Sequence, residues 1–315
     1  MKSTKILSDN MQTMESQTIT SHDNPYFRTQ VIAGYDSYID DKGVTRFGEV
    51  LFEKENMLLI GGSVFTLEKL FNTRINSELH ISQLRDVFGG EIPHPIGWGT
   101  ASTDNYTADN AVCLFGVGIG GAGDTIADIK DVKYYQRNVD KMVPLRVVSS
   151  DADLTPAEHD IYYCRSVDES TDPKLISYYL KKFDNVSINC RWRDSENEAE
   201  GSNVTSEYFN TSPQTTTPIE TYVELTLKIS KDDIREYFEL NDNIEKARLN
   251  TIGLYSAVPV TLDNPIPVEF DAASGGTYYR TTEYDQVVCF SCLNFDNEML
   301  TLPKELTIVY RIFTK

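Results

Sequence analysis

The chain has few of the residue types on which chemistry most often rests. Histidine occurs 4 times and cysteine 5 times in 315 residues. Neither is gathered at metal-ligand spacing: there is no H-x-x-x-H pair, and Cys113, Cys164, Cys190, Cys289 and Cys292 are spread along the chain. An odd number of scattered cysteines is not the disulfide framework of a small secreted domain, so free thiols in a reducing compartment are expected. Positive charge is also scarce. Lys and Arg total 29 against 48 Asp and Glu, a formal charge of −19. The densest basic stretch, Lys181-Lys182 followed by Arg191 and Arg193, is short and lies beside an acidic run. Phosphate surfaces are bound through clustered Lys and Arg, so this balance argues against nucleic acid or an anionic membrane as primary partner. Long apolar runs are missing too. The longest, Met57–Phe65, falls far short of the roughly 20 residues of a membrane span, and MKSTKILSDNMQTM lacks the apolar h-region of a signal peptide. The expectation is a soluble protein made and kept in a cytoplasm, where the sequons at Asn105, Asn185, Asn203 and Asn210 arise by chance.

What is present is a globular composition, with 40% hydrophobic and 24% charged residues, long enough for one large domain or two ordinary ones. Tyrosine leads the aromatics, 18 against 14 Phe and 2 Trp, which suits interfaces where an apolar ring and a polar tip are both satisfied. Residues 1–28 are polar and aperiodic and read as an extended N-terminal arm, with Ile6, Leu7 and Ile19 as its few apolar anchors. Residues 29–193 alternate apolar and polar positions over short runs, separated by turn signals at Asp40-Asp41-Lys42-Gly43 and Gly61-Gly62; this predicts a β-rich domain with short helices. Residues 194–220, acidic and then Thr- and Pro-rich, read as an exposed loop.

Residues 221–315 carry the clearest strands and are expected to pack with the preceding domain. Val223, Leu225, Leu227 and Ile229 alternate with Glu224, Thr226, Lys228 and Ser230, one face buried and the other wet. Ile252, Leu254, Val258 and Val260 continue the pattern, while Val287–Phe295 and Leu306–Phe313 are apolar on both faces and read as central strands. Helical spacing is brief. It occurs at Leu67, Leu70 and Phe71, at Leu84, Val87 and Phe88, and after Ser230, where Asp232 and Asp233 open a helix burying Ile234, Tyr237 and Phe238. Residues 172–183 fit helix or strand equally. The fold class expected is mainly β and sandwich-like with a few short helices, with α+β as the alternative.

The sharpest motif is Gly116-Val-Gly118-Ile-Gly-Gly121, which follows the strand-like Ala111–Phe115 and formally matches G-x-G-x-x-G. In a dinucleotide fold those glycines let the backbone approach a pyrophosphate at a helix N-terminus. Here Ala122–Val132 would make a poor helix, and neither Asp140 nor Asp151 ends a strand where a ribose-binding acid belongs. A flexible or close-packed glycine loop fits better. Cys289-Phe-Ser-Cys292 has half-zinc or redox spacing but lies within a strand, where positions i and i+3 face opposite ways; buried free thiols are expected. His22, His80 and His94 lie apart. His159-Asp160 near Cys164 suggests a base and nucleophile only until the extended backbone is considered, and Asp151-Ala-Asp153 lacks the later ligands of a calcium loop. No catalytic, cofactor-binding or metal residue is therefore assigned, and the chain reads as no enzyme.

Three segments share a further pattern: Glu55–Phe71, Phe115–Gly123 with Met142–Val148, and Arg248–Ala257 leading to Leu306–Phe313. Together they resemble virion structural proteins of tailed bacteriophages. The last is similar to a module in which an N-x-I/L-G-L-Y strand, here Asn250–Tyr255, and a closing apolar strand complete a compact sandwich. The resemblance implies a non-catalytic subunit made in the bacterial host cytoplasm and built into the virion at the neck, collar or tail. Its partners would be copies of itself, as in a ring, and other virion proteins, with no direct nucleic-acid or membrane contact. The competing reading is a nucleotide-dependent enzyme using Gly116–Gly121.

Overall fold

A computed structural model describes residues 27–41, 43–71, 84–88, 90–92, 110–123, 128–192, 200–201, 219–230, 232–241, 247–269, 276–299 and 305–314. Thirteen strands follow in order: β1 (Phe27–Ile39), β2 (Thr45–Asn56), β3 (Ala111–Gly118), β4 (Met142–Val143), β5 (Arg146–Val148), β6 (Tyr162–Asp168), β7 (Leu175–Lys182), β8 (Asn185–Trp192), β9 (Glu200–Gly201), β10 (Ile219–Ile229), β11 (Arg248–Glu269), β12 (Thr277–Met299) and β13 (Leu306–Thr314). Among the described residues three short α-helices join them, α1 (Ile60–Phe71), α2 (Pro156–His159) and α3 (Arg235–Leu240). The fold is mainly β. Sheet A runs β2-β1-β13-β10-β8-β9, and sheet B runs β12-β11-β3-β7-β5, with β4 on β3 and β6 on β7. One apolar cluster draws Val31, Leu225, Leu227, Ile308 and Tyr310 from sheet A and Phe115, Val117, Ile176, Ile252 and Phe290 from sheet B, so the two sheets share a core. A second cluster, with Leu59, Leu114, Met142, Cys164, Tyr255 and Cys289, covers the other face of sheet B.

The strands of residues 29–193 and 221–315 interleave in both sheets, so neither segment has a sheet of its own. The strand begins two residues before the expected arm ends, Phe27 pairing with Thr314; residues 1–26, with Ile6, Leu7 and Ile19, lie outside the described residues. Of the expected loop 194–220, Glu200–Gly201 forms β9 and Ile219 opens β10, and the remainder lies outside the described residues. The ambiguous stretch 172–183 resolves as strand β7.

Several expectations fail for physical reasons. Gly61-Gly62 is no turn but lies in α1. A Cβ on Gly61 would sit 2.5 Å from the Cys289 carbonyl oxygen, and one on Gly62 2.4 Å from that of Phe290, so the glycines let the helix press its backbone on β12. That contact turns Leu67 and Leu70 outward, 55% and 71% exposed, and turns Glu68 in. Leu84, Val87 and Phe88 form no helix. Asp86 Oδ1 accepts the Phe88 and Gly90 amides at 2.9 and 2.8 Å, closing a turn that leaves Phe88 exposed. Helix α3 forms but starts at Arg235, beyond Asp232 and Asp233; Phe238 within it and Ile234 just before it are buried, and Tyr237 is half-buried. Strand β13 is central, whereas β12 ends the pairing order of sheet B, and Leu58, Leu59 and α1 lie against it.

The outer face of β10 is not wet. Glu224 is fully buried, accepting from Arg311 Nε at 2.9 Å and from the Thr45 amide at 3.2 Å, and Thr226 is buried beside it. Removing one member of a buried ion pair leaves an uncompensated charge, which costs about 3–5 kcal/mol. Glu224→Ala is therefore expected to lower the urea-unfolding free energy by about that amount, whereas Glu224→Leu combined with Arg311→Leu recovers most of it.

Candidate functional site

Among the described residues a dense set of ionisable side chains gathers around β6 and β7. Strands β5 and β6 both pair with β7, so residues 149–161 must cross it as a strap. Two capping boxes, Ser150 with Asp153 and Thr155 with Glu158, fold that strap into a 3₁₀ turn and α2. Asp151 then points inward, accepting from Arg165 Nε at 2.8 Å, Arg165 Nη2 at 2.7 Å and the Tyr178 hydroxyl. Burial alone would raise its carboxyl; the hydrogen bonds from Arg165 and Tyr178 outweigh burial and hold it below its usual range. His159 meets the Asp151 carbonyl through Nε2 at 2.8 Å, and burial pushes its pKa down.

The neighbouring groups are paired in the same manner. Lys181 Nζ donates to Asp233 Oδ2 at 2.9 Å and to the Lys228 carbonyl at 2.8 Å, while the Tyr162 hydroxyl donates to the other Asp233 oxygen. Arg146 bridges Glu158 and Glu236. Arg280 donates to Glu283 and to the Tyr162 carbonyl, each at 2.9 Å, and Glu283 accepts the Cys164 amide at 3.1 Å. Cations lie over rings throughout, with Arg280 4.8 Å from the Tyr163 centroid and Lys182 4.9 Å from the same ring. Burial, and then the adjoining carboxylates, push the Tyr162 and Tyr178 hydroxyls far up. These tyrosines donate hydrogen bonds and hold their protons. The geometry fastens strands and leaves none of these carboxylates free to act as a base.

The histidine and cysteine suggested by sequence do not meet as a dyad. The His159 ring is turned to Asp151, and the fully buried Cys164 thiol is raised by burial and by Glu283. No group of three or more His, Cys, Asp or Glu side chains stands at metal-binding geometry among the described residues. Gly116 and Gly118 lie within β3, and the amides that follow are engaged by protein. Ile119 and Gly120 donate to the Lys141 and Asp140 carbonyls at 3.1 and 3.0 Å, and Gly121 donates to Asn250 Oδ1 at 2.8 Å. A pyrophosphate needs those donors pointing outward. Instead the glycines permit close packing, a Cβ on Gly118 falling 2.6 Å from the Asp140 oxygen.

Residues 100–269, more than half of the chain, match the model of a family of unknown function, DUF7208. The chain belongs to this family. The matched span runs past β3 and ends with β11, so it carries the glycine strand and the whole ionisable cluster except its β12 members. No curated protein and no solved structure matches the chain significantly.

Cys289 and Cys292 depart from the expected opposite facing in this DUF7208 chain. Gly253 pairs with Cys292 and Leu254 with Ser291, but Tyr255 pairs with Cys289, so Phe290 is an extra residue. That bulge restores the face, and both thiols join the same buried cluster. Burial raises Cys289 and takes Cys292 up to about 12. The cluster's ion pairs were invisible in spacing, because Lys181 and Asp233, or Arg165 and Asp151, meet only when β6, β7 and the strap are assembled.

Two outcomes follow. Native protein near pH 8 should expose less than one thiol to an aromatic disulfide reagent, while the unfolded chain exposes all 5 cysteines. Gly118→Ala should lower stability by about 1–3 kcal/mol in urea, since its Cβ displaces backbone; an unchanged midpoint argues for an open loop.

Proposed function

We propose that this chain is a non-catalytic structural subunit of a tailed-bacteriophage virion, assembling with copies of itself and with other virion proteins at the neck, collar or tail. The observation that carries the reading is a division of labour. Groups capable of chemistry are buried in pairs that fasten strands, while apolar side chains are displayed on regular elements. Val186 and Ile188 of β8 are 56% and 69% exposed, yet they stand opposite Leu225 and Val223 on the core-facing side of sheet A. Leu67 and Leu70 are likewise turned out on α1. Apolar side chains on ordered elements suit subunit contacts. Of the phage-like segments, Phe115–Gly118 within β3 pairs with Thr251–Leu254 within β11, in keeping with a shape-giving role for those glycines. Among the described residues no helix is long and apolar enough to cross a membrane.

Purified full-length protein should form closed oligomers by light scattering and negative-stain electron microscopy. Ile188→Asp and Leu70→Asp should weaken them while leaving thermal unfolding near the parent's. Deleting residues 2–25 should preserve far-UV circular dichroism and remove assembly. A monomer at every concentration, or a clear thermal shift with saturating NAD, NADP or ATP, refutes this reading, because a ligand at one hundred times its dissociation constant stabilises by about 2.7 kcal/mol.

A further inference from the structure

The strap over β7 is held by a histidine whose second nitrogen has no partner. His159 is 1% exposed, its Nε2 meets the Asp151 carbonyl at 2.8 Å, and Nδ1 is buried without a hydrogen bond. Since Nε2 faces an acceptor it must carry the proton, so the ring is neutral and Nδ1 is a bare lone pair. The groups around it come from four elements. The strap supplies Asp151, Glu158 and Asp160; β6 supplies Arg165; β7 supplies Tyr178, whose ring centroid is 6.4 Å away; β12 supplies Tyr278 at 6.2 Å, with Arg280 and its partner Glu283. Each nearby carboxylate already has a donor. Arg165 and Tyr178 hold Asp151, Thr155 and Arg146 hold Glu158, Tyr278 holds Asp160, and Arg280 holds Glu283.

We propose that residues 149–161 form an acid-sensitive latch, closed while His159 is neutral and released when His159 takes up a proton. A proton on Nδ1 would create a buried donor with no acceptor and a positive charge facing the Arg280 guanidinium, so the charged ring is accommodated only when the strap lifts. The direction in pH follows. An exposed histidine titrates near about 6.5, and the closed strap disfavours the charged ring, so closure is complete above about pH 6.5 and weakens as pH falls below it. The carboxylates of Asp151 and Glu158, held below their usual range, keep their charge through this window and do not drive the opening. Lifting the strap withdraws Leu154, 1% exposed, from the core and uncovers the ring of Tyr178. The released segment would thus present apolar and aromatic surface in acid that is hidden at neutral pH.

Hydrogen exchange of the full-length protein, read by mass spectrometry near pH 7.5 and near pH 5 with intrinsic rates corrected, tests this. Protection of peptides within 149–161 should fall about tenfold or more at the lower pH while peptides within 223–229 keep theirs. In His159→Asn, which retains a side-chain donor for the Asp151 carbonyl and cannot titrate, strap protection should be the same at both pH values. Equal loss in that variant would assign the effect to the carboxylates and overturn the latch, as would an unchanged parent. Should the variant not fold, the His159 imidazole signal of the parent protein decides by nuclear magnetic resonance. An apparent pKa below about 6.5 that coincides with strap opening supports the proposal, and titration at or above it with the strap still protected refutes it.

Discussion

Glu224 and Arg311 stand directly opposite one another on β10 and β13, and their pairing gives sheet A its register. The hydrophobic pattern alone cannot. Every residue of β13 from Leu306 to Phe313 is buried, so a slip of one position exchanges one apolar face for another with little penalty from side-chain burial. A buried carboxylate removes that degeneracy, since any other alignment leaves Glu224 without its guanidinium in a dry environment. Because β13 lies between β1 and β10, the same contact positions the N-terminal strand through the pairing of Gln30 with Arg311. Sheet A is thus joined through the two ends of the described chain, and its closure carries a large loop entropy that the local β11–β12 hairpin of sheet B avoids.

Sheet B uses charge in a related way where β5 and β6 flank β7. Three strands and a crossing strap meet there, and beside the buried Leu145, Leu154 and Ile176 the contacts are made by Asp151, Lys181, Asp233 and Arg146. Each such pair is weak as a source of net stability, because desolvation opposes the attraction. Each is demanding in geometry, which is the property a crossing connection needs. Ile234 shows the demand directly: it sits at φ 61° between Asp233 and α3, its amide bonded to the Leu145 carbonyl at 2.7 Å. A β-branched residue in that region is strained, and the surrounding contacts hold it there.

The sequence was informative wherever one physical cause acted alone. Period-two alternation located β10, the Asp40–Gly43 signal located the β1–β2 turn, and Phe238 marked the buried side of α3. It misled where tertiary contact overrode local pattern. Leucine spacing on α1 indicated a helix correctly but named the wrong face, since the glycine contact with β12 decided which side is buried. The Cys289–Cys292 argument failed by the single residue of a bulge, and the wet face of β10 failed because Arg311, nearly ninety positions away, covers it. No spacing rule could have found the strap cluster, whose partners come from β5, β6, β7, α3 and β12. For the G-x-G-x-x-G match the reverse held: the poor helix propensity after it was readable in advance and agrees with the inward use of the Ile119, Gly120 and Gly121 amides.

The glycine contact of α1 has a bearing on how sheets meet one another. An open strand edge is an invitation to pair with any passing strand, and β12 is the longest such edge in sheet B. Along Val288–Ser291 that edge faces a helix packed so closely that a Cβ on Gly61 or Gly62 would clash with the strand's carbonyls, and Leu59 has already taken the Phe290 carbonyl. The helix fills the room a foreign strand would need on this stretch, and the Phe290 carbonyl is already engaged. The two residues that look most dispensable in the helix therefore let it cover this length of edge, so that what the surface presents there is side chain and not open main chain.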